Sequence, residues 1–232
     1  MMSSSRRGLR RAALAALVPA CVACALIPAA AFAGTLDQQQ AVDGGGAFSI
    51  GTNQNVAQTF TAGVSGRIDQ VDLHLGTVGV PVEPLNVEIQ TASGGRPTGE
   101  ILATAILPAS SVPAPRAFVP ITFALPASVV AGTQYAIVAS SSTPPASNFF
   151  QWSNGPDPEP YAGGTALYRS PPSSGPWAIS AAADLTFRTY VVAPAVAASP
   201  TGQRAAALKK CKKKRSHRKR KKCVKKAKKL PF

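Results

Sequence analysis

The chain has 232 residues and a formal net charge of +15, but that charge is divided among three zones and the average describes none of them. The first 33 residues hold four Arg and no acid; residues 34–203 hold five Arg, no Lys and all ten acids, net −5; from Arg204 onward sixteen Lys or Arg stand without an acid. The central zone has one histidine, His74, and no cysteine, which excludes Cys–His catalysis and His-rich metal sites there.

The N-terminal zone reads as a secretory leader. Arg6, Arg7, Arg10 and Arg11 precede the apolar run "AALAALVPACVACALIP", and Ala31-Phe32-Ala33 offers a small-residue cleavage site before Gly34. Pro19 and Pro28 interrupt the run, which argues against a retained spanning helix. "SRRGLR" has the twin-arginine look, but Arg10 occupies an apolar position of that signal, so Sec export is preferred. Lipid attachment at Cys21 is disfavoured because Pro19 stands where a small or branched residue is usual. The expectation is a secreted chain, associated with the cell surface, with residues 1–33 removed and no transmembrane span left.

From about residue 36 to 193 the pattern has period two. Val71, Leu73 and Leu75 alternate with Asp72 and His74; Leu85, Val87 and Ile89 alternate with Asn86, Glu88 and Gln90. Val119, Ile121 and Phe123 continue it, as do Tyr135, Ile137 and Ala139, and finally Leu185, Phe187 and Val191 against Asp184, Arg188 and Tyr190. Such alternation marks strands that bury one face. Ile101, Ala103, Ala105 and Leu107 alternate too, so "EILATAIL" is assigned to strand and not helix. Turn clusters such as "ASGGRPTGE", "PASVVAGT" and "RSPPSSGP" punctuate the strands. About eight short strands predict an all-β, antiparallel, jelly-roll-like sandwich over residues 34–193, with a barrel as the alternative. His74 is expected on a strand, facing solvent or hydrogen-bonded at an edge.

Residues 142–180 break this rhythm and read as long loops holding both Trp of the chain. Trp152, Trp177, Tyr161 and Tyr168 are the candidate ligand-binding aromatics, since sugar C–H faces stack on such rings while Gln151, Asn154 and Asp157 take hydroxyls. The alternative is that these rings plug the ends of the sandwich. Asp157 and Glu159, alternating with Pro, are the one carboxylate pair that suits glycoside hydrolysis, with a solvated acidic turn as the plainer reading. Two acids do not make a calcium site.

Residues 194–203 are Ala- and Pro-rich and read as a linker. The basic tail at 204–232 follows, expected to be disordered because like charges repel at every helical spacing. Its candidate polyanion-binding residues are Lys209, Lys210, Lys212, Lys213, Lys214, Arg215, Arg218, Lys219, Arg220, Lys221, Lys222, Lys225, Lys226, Lys228 and Lys229. The apolar phrases "AL..C" and "CV..A" lie sixteen positions apart, which on one continuous helix puts them on opposite sides. Outside the cytoplasm Cys211 and Cys223 are free to pair within the chain or between two chains. A zinc site of Cys211, His217 and Cys223 lacks a fourth ligand. No metal or cofactor is expected.

Gln58-Thr59-Phe60, Gly132-Thr133-Gln134-Tyr135, "YAGGTALY" and Asp184-Leu185-Thr186-Phe187, in this order, resemble the exported β-sandwich modules called choice-of-anchor domains, the R type most closely. The resemblance spans about residues 36–193 and rests on strand-and-turn phrases. It implies an extracellular jelly-roll module joined to a C-terminal surface-attachment device. The basic tail stands where that device belongs, without the LPxTG-like signal or hydrophobic helix of commoner members. The functional expectation is therefore a non-catalytic module held by its tail at an anionic wall polymer, acidic glycan, phospholipid headgroup or extracellular DNA. A carbohydrate-binding jelly roll and a surface-glycan hydrolase are the alternatives.

Overall fold

The computed structural model describes residues 34–144, 147–158, 161–170, 175–180, 184–193 and 202–230. The expected leader at 1–33, Glu159 and most of the linker at 194–203 lie outside the described residues.

Two antiparallel sheets enclose one core. The first contains β1 (Thr35–Gln40), β2 (Ala47–Ile50), β4 (Gly66–Val78), β7 (Ala117–Val129), β9 (Phe149–Ser153) and β12 (Phe187–Val192). The second runs in the order β11 (Ala178–Ile179), β10 (Ala166–Arg169), β3 (Asn55–Thr61), β8 (Gln134–Ser141), β5 (Leu85–Ser93) and β6 (Arg96–Leu107). The long β4 organises its sheet. Residues 67–73 pair with β12 and residues 75–78 with β9, while β7 lies along 66–75. Among the described strands no ladder joins the two sheets, so the architecture is sandwich-like and not a closed barrel.

The period-two faces fall where the alternation puts them. Val71, Leu73 and Leu75 from one sheet meet Leu85, Val87, Ile89 and Ile137 from the other, all fully buried. At roughly 25 cal/mol per Å² of apolar surface removed from water, this shared core is the main favourable term in folding. The β5–β6 connection is the two-residue hairpin Gly94-Gly95, with φ of 57° and 74° between the paired Ser93 and Arg96. Both central residues need positive φ, which is why glycine occupies both.

Twelve strands replace the expected eight or so among the described residues. The additions are short edge strands (β1, β2) and strands β9 to β11 inside the segment read as loops. Phe150 and Trp152 do alternate in β9, but flanking Pro, Asn and Ser obscure a strand of five residues.

Three phrases that carry the family resemblance meet in space. Gln58 Nε2 donates to Asp184 Oδ1 at 2.6 Å, and the Leu185 amide donates to Gln58 Oε1 at 2.7 Å, both fully buried. The Phe60 ring lies 6.1 Å from Tyr135 and 6.3 Å from Phe187. Buried polar side chains persist only when hydrogen-bonded, so these phrases are a join between the sheets and specify the fold.

Tail residues 202–230 are folded, correcting the expectation of disorder. Two helices, α1 (Gly202–Lys212) and α2 (His217–Ala227), form a hairpin closed by a Cys211–Cys223 disulfide. No helix among the described residues is long and apolar enough to cross a membrane.

Candidate functional site

The proposed ligand-binding aromatics are not brought together. Trp152 is fully buried in the core, and its indole N–H donates to the Thr186 carbonyl at 3.0 Å. That corrects its assignment as a ligand contact: it sits on β9 with its large apolar body facing the opposite sheet, and its one polar group is satisfied inside. Tyr161 stands edge-on to Phe187 at 5.2 Å and donates to Gln38 Oε1 at 3.1 Å. Burial pushes its phenol pKa well above the ordinary value, with the charges of Asp184 and Asp37 adding to the shift. Tyr168 stacks on Phe48 at 6.0 Å across the edge of the sandwich. Tyr161 and Tyr168 therefore plug the sandwich, the second of the two readings.

Trp177 lies elsewhere, over the outer face of the second sheet. It packs on Ala57, Ala136, Val138 and Leu167, and the Arg169 guanidinium covers it at 4.6 Å. Burial holds the Arg169 pKa below its usual value, opposed by the Glu88 charge. The indole is thus occupied on the sheet side by small residues and above by Arg169. Asp157 is exposed, and the carboxylate pair it would make with Glu159 lies partly outside the described residues.

A polar cluster on the outer face of the first sheet escaped the sequence reading. His74 is on the central β4, neither exposed nor at an edge; its side chain is 15% exposed and lies edge-on to Phe118 at 5.0 Å. Its Nδ1 is 2.8 Å from Ser153 Oγ and 3.7 Å from Asp43 Oδ2. Both partners address the same ring nitrogen, whereas a Ser–His–Asp relay uses one nitrogen for each. Further along this face Tyr190 donates to Asp72 at 2.8 Å, and Arg188 lies 3.9 Å from Asp72 and 3.9 Å from the Phe118 ring centre. Burial, then the bond to Asp72, raises the Tyr190 pKa. Asp72 and Arg188 are direct cross-strand partners, so this is a ladder of satisfied pairs. The alternation of outward polar residues on β4 and β12 was its only sequence signal.

The hairpin is the most distinctive candidate. Residues 204–208, "RAAAL", give the first half of α1 the best helix former, and long-stemmed Lys and Arg continue both helices. Lys209, Lys210 and Lys212 favour the C-terminal turn of α1, where the helix dipole is negative. The N-terminus of α2 is disfavoured, since Arg218, Lys219 and Arg220 crowd it without an acid. Arg220 relieves part of this by reaching back to the Lys214 carbonyl at 3.2 Å.

The turn at residues 213–216 explains why the single-helix phase argument fails. It resets the helical phase, so the two apolar phrases sixteen residues apart belong to different helices and face each other. Cys211 and Ala227 are buried in the seam, and the Cys211 and Cys223 Cα atoms are 5.5 Å apart. The pairing within the chain is the one realised, and it uses both thiols that a zinc site would need. Among the described residues no group of three His, Cys, Asp or Glu side chains is placed to hold a metal.

All fifteen cations of the sequence-predicted set lie on or beside this hairpin and are exposed. On α2, Arg218, Lys221, Lys222 and Lys225 fall within one helical face by their spacing, opposite the Cys223–Ala227 seam. The cross-link gives this charge a fixed shape in place of a diffuse cloud. Neither a protein-family model nor a curated protein sequence matches the chain.

Proposed function

We propose that the chain is an exported, non-catalytic β-sandwich module of the choice-of-anchor kind, with a jelly-roll topology, held at an anionic surface by its C-terminal hairpin. The observation that carries this reading is the hairpin itself: fifteen Lys or Arg between Lys209 and Lys229, no acid, and a disulfide that ties together the two helices on or beside which they lie. A disulfide persists in oxidising compartments and is rare in the cytosol, which supports export. The leader-like residues 1–33 support it independently.

The charge division supports separate roles for the two parts. Residues 34–203 net −5, so an anionic surface repels the sandwich while it attracts the hairpin. Each Lys or Arg held near an anionic lipid surface contributes about 1 kcal/mol, falling off within a Debye length of about 8 Å at physiological salt. A handful of simultaneous contacts therefore suffices for retention, and salt reverses it. The sandwich is the displayed part.

Sedimentation with the producing cell's envelope, comparing residues 34–232 with 34–200 over a salt series, tests the reading. Binding by 34–232 alone, lost as salt rises, is the expected result. Salt-resistant binding by 34–200 would overturn it and make the sandwich the recognition element.

A further inference from the structure

We propose that the groove between α1 and α2 seats an anionic amphiphile, so that the surface met by the hairpin is a layer of anionic lipid and not a soluble polymer. This rests on the anchor reading and narrows it. Each helix contributes the same spacing of residues to the groove. From α1 and its following turn come Ala207, Lys210, Cys211 and Lys214, at i, i+3, i+4 and i+7. From α2 and the turn after it come Cys223, Lys226, Ala227 and Leu230, again at i, i+3, i+4 and i+7. That interval keeps four residues on one helical face.

The result is a groove of about 380 Å³ whose lining comes wholly from the hairpin. Its floor is apolar, made by the disulfide and Ala227, and Leu230 stands at its margin with 39% of its surface exposed. Lys210, Lys214 and Lys226 surround that floor. Lysine stems lie along apolar surface while the ammonium groups stay in water, so the cations ring the opening without closing it.

A soluble polyanion charged at every repeat has nothing to place on an apolar floor. It binds the fully basic face of α2 equally well. A lipid offers phosphate or carboxylate at one level and methylenes immediately below, which matches ammonium groups around an apolar recess. The described lining of the groove comes from the two helices and the turns after them, and an acyl chain supplies an apolar partner for its floor.

The test uses the oxidised chain from Gly34 to Phe232, which carries every described residue, in two parallel assays. One is flotation with phosphatidylcholine vesicles with and without phosphatidylglycerol; the other is binding to inorganic polyphosphate. Vesicle binding is expected to require the anionic lipid and to keep a salt-resistant part, which Leu230→Gln weakens roughly threefold or more. Polyphosphate binding is expected to be unchanged by that substitution. Lys210→Gln with Lys226→Gln should weaken vesicle binding more than Lys219→Gln with Lys222→Gln, although both remove two charges, and the two pairs should act equally on polyphosphate.

Leu230 follows α2 and its amide donates to the Ala227 carbonyl at 3.3 Å, a backbone bond that Gln makes equally well; circular dichroism checks that each variant keeps its helices. The inference falls if polyphosphate binds while Leu230→Gln leaves vesicle binding unchanged and salt removes all of it; the anchor reading then stands. Tight binding to polyphosphate without binding to anionic vesicles also overturns it. Failure of the unsubstituted chain to bind either probe removes the anchor reading as well.

Discussion

Replacing Cys211 and Cys223 by Ser should melt the hairpin, and the magnitude follows from two opposing terms. The cross-link closes a loop with a sequence separation of 12. In the chain-entropy account a loop of that length stabilises the folded form by about 3 kcal/mol. Against it stands repulsion along α2, where the like-charge pairs at i, i+3 or i, i+4 are 218–221, 218–222, 219–222, 221–225, 222–225 and 222–226. At about 0.2–0.5 kcal/mol each, these six pairs cost roughly 1–3 kcal/mol. Helices of eleven residues are marginal in water even without that burden. The cross-link and the repulsion are therefore of the same size, and removing the cross-link leaves only the small apolar seam to oppose the repulsion.

The assay is difference far-UV circular dichroism at 222 nm between oxidised chain 34–232 and its Cys211→Ser/Cys223→Ser variant. Most of the helical signal should be lost at low salt, with the β contribution unchanged. Added salt or polyphosphate should restore part of it, because either one screens or neutralises the like charges. Full helical signal in the double variant at low salt would refute the reasoning, since the hairpin would then be held by its seam alone.

Trp152→Ala should destabilise the chain by about 3–5 kcal/mol, the range for emptying a buried aromatic site, as measured by chemical denaturation. A loss below about 1 kcal/mol would contradict its core position. The Tyr161 phenol is neutral and its folded pKa lies above the unfolded value of 10.0. Its contribution is thus fully present below pH 10, and stability falls as pH rises above that value, where the unfolded chain releases the proton and the folded chain retains it. Tyr161→Phe should flatten that alkaline decline in thermal scans against pH; an unchanged slope would assign it to other groups, such as Tyr190.

Much of the fold was legible because strand alternation is local. A residue's face on β4, β5, β7 or β8 is set by its neighbours two positions away, so Val71, Leu73, Leu75 and Ile137 were assigned inward from sequence alone, and they are. The site was less legible because burial of a lone aromatic is not local. Trp152 and Trp177 lie in the same loop-like segment, yet one fills the core and the other lies on an outer face beneath Arg169. His74 reads as an outward strand residue, but only the pairing of β4 with β7, β9 and β12 encloses it.

The tail divides in the same way. Its charge, its lack of acids and its two cysteines are properties of composition, and they determine by themselves that it is strongly cationic and able to form one disulfide. Whether those cysteines pair within the chain, and whether the apolar phrases at 207–211 and 223–227 oppose or meet each other, depends on a chain reversal at 213–216. Helical phase propagates only along an unbroken helix. Once the chain turns, residues sixteen apart become neighbours by contact, and only the tertiary structure decides that.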